Sequence, residues 1–490
     1  MALFFQRDAK MRAYPLTSAG TFPGGSKIFE IPLLEGFSFS QSTNSSEITL
    51  SEMESTDGFS RRGRKIFNDS LAPVEWSFST YLRPFIGLNT GDNVWGDANS
   101  HLVDQCLWNA MMSKGQISET SVGEVTAVTV SANGTGYSVG DVLTLTGGTL
   151  ASGASAAKVQ VLTVNSGAVQ TVQIVEPGNY TAFTGASATT VSPTGGSGCT
   201  ITPTLGSSNL DAIIEVGSNT LPLRMGTHTS NRAALQTLAL EFQLGSGLTY
   251  QLQKAVVNSA TVNFDVEGIA TVEWSGMAAN IATKTGFATN VTDIDASATS
   301  ATIASTAPIK EGGRAADTEN FIRNRLTSMS LKPNSGTASD TAISQTTFDV
   351  TLTGGSITYE NNISYLTPEE LGSVNKPIEH VTGTRSVGGN FTCYLASNAA
   401  GNGSKDLFDA MVADAGLGVT THDFEICFKV GGSSGTPRVE FEMPHVHLEV
   451  PGHSIEDVIS LESSFSGLQS DLESNYPDDF RIASYGISIA

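Results

Sequence analysis

Val74-Glu-Trp-Ser-Phe-Ser-Thr-Tyr-Leu82 alternates apolar and polar residues, the pattern of a half-buried β-strand with Val74, Trp76, Phe78 and Leu82 on one face. Far downstream, Asn390-Phe-Thr-Cys-Tyr-Leu395 keeps the pattern: Phe391 answers Phe78, Tyr394 answers Tyr81, and Leu395 answers Leu82. Each strand leads to one short helix. In the first, Val103, Cys106, Leu107, Ala110 and Met111 fall at three- and four-residue spacings between a candidate N-cap at Ser100 and Gly115. In the second, Leu407, Phe408, Met411 and Val412 lie between Ser404 and Gly416.

A further alternating strand follows each helix. Leu238, Leu240, Phe242 and Leu244 correspond to Phe424, Ile426, Phe428 and Val430, and Trp274-Ser-Gly-Met277 corresponds to Phe465-Ser-Gly-Leu468. One such match would mean little, but a whole series in one order argues for duplication, and internal repetition decides the architecture. The first copy holds many more residues between its helix and its next strand, so a guest segment sits in that loop. The guest also repeats, because Val125-Thr-Ala-Val-Thr-Val130 before Gly136-Tyr137 resembles Val169-Gln-Thr-Val-Gln-Ile174 before Asn179-Tyr180.

The expected fold class is therefore mainly β: two tandem β-sandwich or barrel domains, each with one short helix, plus a small inserted all-β domain. Residues 1–119 and 207–284 form the first domain, 120–206 the exterior insert, 285–320 an Ala-, Ser- and Thr-rich linker, and 321–490 the second domain. A chain of 490 residues is long enough for about three domains with cores of their own. Its 50 glycines and its 15% of charged residues suit short strands and many turns.

Asp and Glu number 48 against 26 Lys and Arg, a formal net charge of −22. Such a chain repels a phosphate backbone, because nucleic-acid affinity comes mainly from Lys and Arg displacing counterions. Cys106, Cys199, Cys393 and Cys427 lie far apart without metal-ligand spacing and read as small core residues. No stretch approaches a membrane span, and Met1 to Tyr14 lacks a secretory h-region, so folding in a reducing cytoplasm is expected.

Candidate chemistry is sparse. His445 and His447 would point to one side of a strand, with His453 nearby, but no Cys or close carboxylate completes a metal set, and Pro444 and Pro451 suggest an edge or turn. Arg61, Arg62, Arg64 and Lys65 form the one basic cluster, without the aromatic partners of a nucleic-acid site. It is read as a subunit or inter-ring contact made through rim ion pairs, with a merely solvated loop the equal alternative. Tyr137 and Tyr180 are the residues through which the insert would stack on sugars, although a tyrosine in such a place is more often a core residue of its own repeat. The Gly-rich runs sit in β-turn contexts, no nucleophile elbow or P-loop occurs, and neither catalysis nor a cofactor is expected.

In its element order the chain resembles the phage tail tube proteins. The resemblance rests on the Leu34-Glu-Gly-Phe-Ser-Phe39 strand start, the polar segment with Asp57-Gly-Phe-Ser-Arg61 and Arg62-Gly-Arg64, the strand from Trp76 to Leu82, the single helix at 101–114, and the recurrence of this order from Leu326 to Leu468. It implies two packed antiparallel sheets whose inner strands join those of neighbours into a barrel around a pore. Two copies per chain imply a trimeric ring, stacked through a loop at about Gln41 to Pro73 into a tube in the virion tail. Assembly in the host cytoplasm follows from it, with sheath or tail-tip, baseplate and terminator proteins as partners and viral DNA passing without specific binding. The rival expectation is a virion decoration protein or adhesin that binds host glycans, with a polysaccharide-degrading enzyme a distant third.

Overall fold

The computed structural model describes residues 8–16, 28–48, 65–86, 100–112, 125–150, 156–176, 180–183, 188–191, 195–205, 223–226, 235–245, 247–287, 321–333, 347–371, 375–416, 423–432, 437–455, 458–469 and 479–485. The first elements are β1 (Ala9–Pro15), β2 (Phe29–Ile31), β3 (Ser38–Ile48), β4 (Lys65–Tyr81), β5 (Pro84–Ile86), β6 (Ser100–Leu102) and α1 (Gln105–Met112). Next come β7 (Val125–Thr135), β8 (Val142–Thr146), β9 (Gly148–Leu150), β10 (Lys158–Asn165), β11 (Ala168–Glu176), β12 (Tyr180–Phe183), β13 (Ala188–Val191) and β14 (Ser197–Leu205). β15 (Leu223–Gly226), β16 (Leu238–Leu244), β17 (Thr249–Asp265), β18 (Thr271–Ala278) and β19 (Asn280–Lys284) follow. The remainder comprises β20 (Ser328–Pro333), β21 (Phe348–Val350), β22 (Leu352–Glu360), β23 (Ser364–Leu366), β24 (Glu379–Val381), β25 (Ser386–Tyr394), α2 (Ser404–Gly416), β26 (Asp423–Val430), β27 (Arg438–Leu448), β28 (Gly452–Ile455), β29 (Ile459–Gly467) and β30 (Arg481–Tyr485).

One series of antiparallel pairings occurs twice. β1 pairs with β2 and β16, β16 with β17, β17 with β18, β18 with β4, and β4 with β3. Likewise β20 pairs with β21 and β26, β26 with β27, β27 with β29, β29 with β25, and β25 with β22. The helix falls at the same place in each series, between β4 and β16 and between β25 and β26. The register departs from the sequence alignment in one respect: Trp274 faces Phe78, whereas Phe465 faces Gly389 and Phe391 faces Ser463. A slip of two residues explains this, and it preserves the buried face because side chains alternate with period two.

Two strands join the series. β17 uses its first part to pair with β16 and β19 and its second part to pair with β18 on one side and β22 on the other. β30 lies between β27 and β15. The apolar sides share one core that runs through both series. At the join, the Trp108 ring meets Trp274 at 4.8 Å, Phe441 at 5.9 Å and Phe480 at 6.4 Å.

α1 is buried on all sides, which explains why it carries no charge. It begins at Gln105, later than the sequence suggested, because Ser100–Leu102 is the strand that pairs with β5. Ser100 therefore does not cap it; the Asp104 carbonyl accepts the Leu107 and Trp108 amides. α2 begins at Ser404 but is capped one residue earlier, where the Gly403 carbonyl accepts the Leu407 amide and Asp406 accepts the Gly403 amide at 2.9 Å, while the Ser404 hydroxyl turns to the Ala396 amide at 2.8 Å. The stretch Gln41 to Pro73 corrects a second expectation: residues 41–48 and 65–73 belong to β3 and β4, and only 49–64 lie outside the described residues. The run Ser-Gln-Ser-Thr-Asn-Ser-Ser looked like a loop because it pairs as a strand without burying either face.

Val125–Leu205 builds a separate six-stranded sheet in the order β11-β10-β8-β13-β14-β7, with a core of its own around Leu143, Val159, Val161 and Ile201. The expected linker lies outside the described residues from 288 to 320.

Asp104 is fully buried beside that shared core. Its Oδ2 accepts the Thr80 hydroxyl at 3.0 Å, and Thr80 in turn accepts Trp274 Nε1 at 2.9 Å. Burial pushes the Asp104 carboxyl up to about 7, with the Thr80 hydrogen bond pulling the other way. The folded chain therefore holds a proton here that the unfolded chain releases near pH 4, and this group's penalty grows as pH rises from about 4 to about 7. Asp104→Asn keeps the acceptor and removes the charge. Urea unfolding across that range should show a flatter pH dependence for the variant and a gain of roughly 2–4 kcal/mol above pH 7.

Candidate functional site

The join between β17 and β22 produces a wide sheet with two unlike faces. On β17, Ala260, Val262 and Phe264 are buried while Ser259, Thr261 and Asn263 are partly exposed. On the neighbouring strands Ser275 and Glu273 of β18 stand beside Ser259 and Thr261, and Ser77 and Ser79 of β4 stand beside them in turn. On the other flank, Thr358 and Ser356 of β22 face Thr261 and Asn263, Asn390 of β25 faces Ser356, and Ser464 of β29 faces Asn390. Pairing thus carries one polar face from β3 to β29 without interruption.

The polar groups are tied to one another across the strands. Ser38 and Ser77 hydroxyls lie 2.9 Å apart, Ser259 and Ser275 2.8 Å, and Thr261 and Thr358 3.2 Å. Ser356 donates to Asn390 Oδ1 at 2.9 Å, and Asn263 Nδ2 donates to Glu273 Oε1 at 3.2 Å. The charged members include Glu75, Glu273, Asp265, Glu360 and Glu462, and from Ser77 of β4 to Ser464 of β29 no Lys or Arg occupies a described position on this face. Chemically the face offers hydroxyls, amides and carboxylates that wet readily and attract no phosphate, since phosphate affinity needs cations.

The apolar face beneath is closely fitted. A Cβ on Gly276 would stand 2.2 Å from the Val256 carbonyl oxygen and 2.3 Å from the Trp76 ring, and a Cβ on Gly389 would stand 2.0 Å from the Ser356 carbonyl oxygen and 2.8 Å from Phe465. In both series, then, an aromatic ring covers a glycine on the adjacent strand, at Trp76 over Gly276 and at Phe465 over Gly389. The sheet ends in two edges. At one, β3 pairs only with β4 among the described strands; at the other, β28 pairs only with β29.

Of the residues singled out by sequence, Arg61, Arg62 and Arg64 lie outside the described residues. Lys65 is exposed at the start of β4, opposite Ile48. Tyr137 and Tyr180 are core residues of the six-stranded unit, 3% and 1% exposed. The Tyr137 hydroxyl accepts the Cys199 amide at 3.3 Å and the Tyr180 hydroxyl the Ala157 amide at 2.7 Å, so neither ring offers a face to a sugar. His445 and His447 lie within β27; His445 Nδ1 is 3.2 Å from Asp423 Oδ2, and His453 packs edge-on against Phe408. Among the described residues no group of three His, Cys, Asp or Glu side chains is placed to hold a metal. Sequence reasoning missed the polar face. Its signal was the alternation of Ser, Thr and Asn opposite each apolar set, legible on each strand but not across them.

Comparison with known proteins places the chain beside tail tube proteins. The family model described as phage tail tube protein matches residues 171–456, beginning within β11. The chain is also 23% identical over 448 residues to "Tail tube protein pb6" of Escherichia phage T5, covering 91% of this chain and 68% of that protein.

Adjacent residues on β18 separate the roles of the two faces. Ser275→Ala deletes one cross-strand hydroxyl pair and should cost less than about 1 kcal/mol. Gly276→Ala forces a methyl into backbone and the Trp76 ring and should cost roughly 1–3 kcal/mol or more. Denaturant midpoints of the two variants measure the contrast.

Proposed function

The chain belongs to the phage tail tube protein family, a structural protein of the virion tail that assembles with other tail proteins into a tube, and we propose that its polar face is the wall of the tube's channel. The observation that carries this reading is the continuous hydroxyl- and carboxylate-bearing face from β3 to β29, without Lys or Arg at its described positions between Ser77 of β4 and Ser464 of β29. The second layer of strands and α1 pack against the opposite, apolar face. On this reading the layer that carries the polar face is the inner one, and the layer with α1 the outer. DNA passing along it meets no anchoring Lys or Arg and is repelled by the glutamates, so it moves without being held. The role is a conduit, and no catalytic step is assigned to it.

The same reading makes the two series duplicated tube units, with Val125–Leu205 as a guest domain carried on the outer layer. The β17–β22 junction is then a template for ring closure. β22 holds in the second series the place that β3 holds in the first, and residues 449–455 continue β27 as the second part of β17 continues its first. Pairing of β3 with residues 449–455 of the next copy satisfies both open edges, which otherwise template aggregation. Two units per chain and six around the channel make the ring a trimer.

Electron microscopy of the purified protein should show rings of three chains with an axial pore. Replacing Ser259, Thr261 and Ser275 together by Lys should leave ring formation intact while giving salt-sensitive retention of duplex DNA that the unaltered rings lack. Rings that bind DNA no better after three lysines are added would remove the face from the channel.

A further inference from the structure

The connection from β22 to β25 belongs to the second series but grips the first, at the bend of β17. Lys254 lies between Gln253, which pairs with β19, and Val256, which pairs with β18, and its φ of 52° is a left-handed conformation rare for a lysine. The connection closes over this bend. The Asn361 amide donates to the Asn258 carbonyl and the Ile363 amide to Asn258 Oδ1, both at 2.9 Å. The Tyr365 hydroxyl donates to the Lys254 carbonyl, and Leu235, Val256 and Ile363 form a small apolar cluster with Met277 and Tyr365 packed against it. β23 and β24 pair as a hairpin in which Tyr365 lies opposite His380, and His380 Nε2 accepts the Leu235 amide at 3.2 Å.

That last bond depends on protonation. A backbone amide can only donate, so Nε2 is the bare nitrogen and the ring proton sits on Nδ1. Nδ1 is buried and has no hydrogen-bond partner among the described residues. A second proton would go to Nε2, where it meets the Leu235 N–H and removes the acceptor. The surroundings offer the resulting cation little. Leu235, Val256 and Ile363 are apolar, Tyr365 gives its hydroxyl proton to the Lys254 carbonyl, and Glu379, the neighbour along β24, is the one charged group among the described residues that acts on the ring. Burial accordingly lowers the His380 pKa from its ordinary 6.5, against a smaller opposing pull from Glu379. Because the folded value is depressed, the ring's contribution to the clasp is complete above about pH 6.5 and is lost as pH falls from there through the folded value.

We propose that His380 is the latch of an acid-released clasp: neutral, it holds the β23–β24 hairpin of the second series on the β17 bend of the first, and protonated, it lets the hairpin go. Every group involved lies within one chain, so the device stands apart from the channel-wall reading. The same connection reaches the base of the β3–β4 pair, where the Leu71 amide donates to the Asn375 carbonyl at 2.9 Å, so release loosens the first series in two places. The β17–β22 ladder is made of backbone bonds that do not titrate, and it stays paired.

Hydrogen–deuterium exchange of the full chain, corrected for the intrinsic pH dependence of exchange, reads the clasp at about pH 8 and about pH 5, the range in which histidine titrates. The amides of Leu235, Ile363 and the β23–β24 hairpin should exchange roughly five- to tenfold faster at the acid end, the effect of losing one buried hydrogen bond, while those of β8 and β10 keep their corrected rates. His380→Gln sets an oxygen that does not titrate near the Nε2 position and should abolish the acid response. His380→Phe keeps a ring without an acceptor and should exchange fast at both ends, with thermal midpoints checking that each variant folds. Clasp amides of the unaltered chain that exchange alike at both pH values overturn the proposal, and so does an equal acid response in His380→Gln.

Discussion

Everything in this fold hangs on the pairing of β17 with β22. From Ser259 to Asn263 the strand is committed on both edges, to β18 of its own series and to β22 of the next. A strand held on both sides has only its two faces left to satisfy, and the alternation of Ala260, Val262 and Phe264 with Ser259, Thr261 and Asn263 satisfies one with a core and the other with water. Had this register slipped by one residue, the aromatic face would have turned outward along the whole sheet.

The same join explains the core. Trp108, Trp274, Phe441, Phe480 and Tyr359 come from both series and pack together beneath the sheet, with the Asn361 amide donating to the Met111 carbonyl at the end of α1 at 3.0 Å. Nearby, Arg385 and Asp479 form a bidentate ion pair at 2.8 and 2.9 Å that ties the start of the last strand to β25. Removing one member of such a largely buried pair leaves the other charge uncompensated, so its role is to fix where β30 enters between β27 and β15. The two series behave as one wall because their interior is shared.

Strands that bury one face were legible from sequence. Val74 to Tyr81 and Phe424 to Val430 form with the apolar sets where period-two reading puts them, while Leu238 to Leu244 forms but buries Ala239 and Glu241 as well as Leu238, Leu240 and Phe242. What escaped has physical causes. The β3–β4 ribbon buries nothing, so no periodicity marks it; α1 is buried on all sides, so its first turn could not be told from the strand before it. The β17–β22 pairing links residues as distant as Thr261 and Thr358, and local pattern carries no record of a partner that far along the chain. The polar face followed the same rule: each strand displayed its hydroxyls, but only the pairing shows that they form one surface. Tyr137 and Tyr180 illustrate the converse, since an aromatic after a Gly-rich turn reads as a binding platform or, more often, as a plug in its own core, and their hydroxyl contacts with buried backbone amides place them in the core.

On the proposed reading this hydroxyl and carboxylate surface lines an enclosed channel, which a cryo-electron microscopy reconstruction of the assembled tube would display. Side chains of Ser259, Thr261, Glu273 and Thr358 should project into the lumen, with α1 at larger radius. Density that places those four side chains on the outer surface, or against another protein layer, would contradict the account.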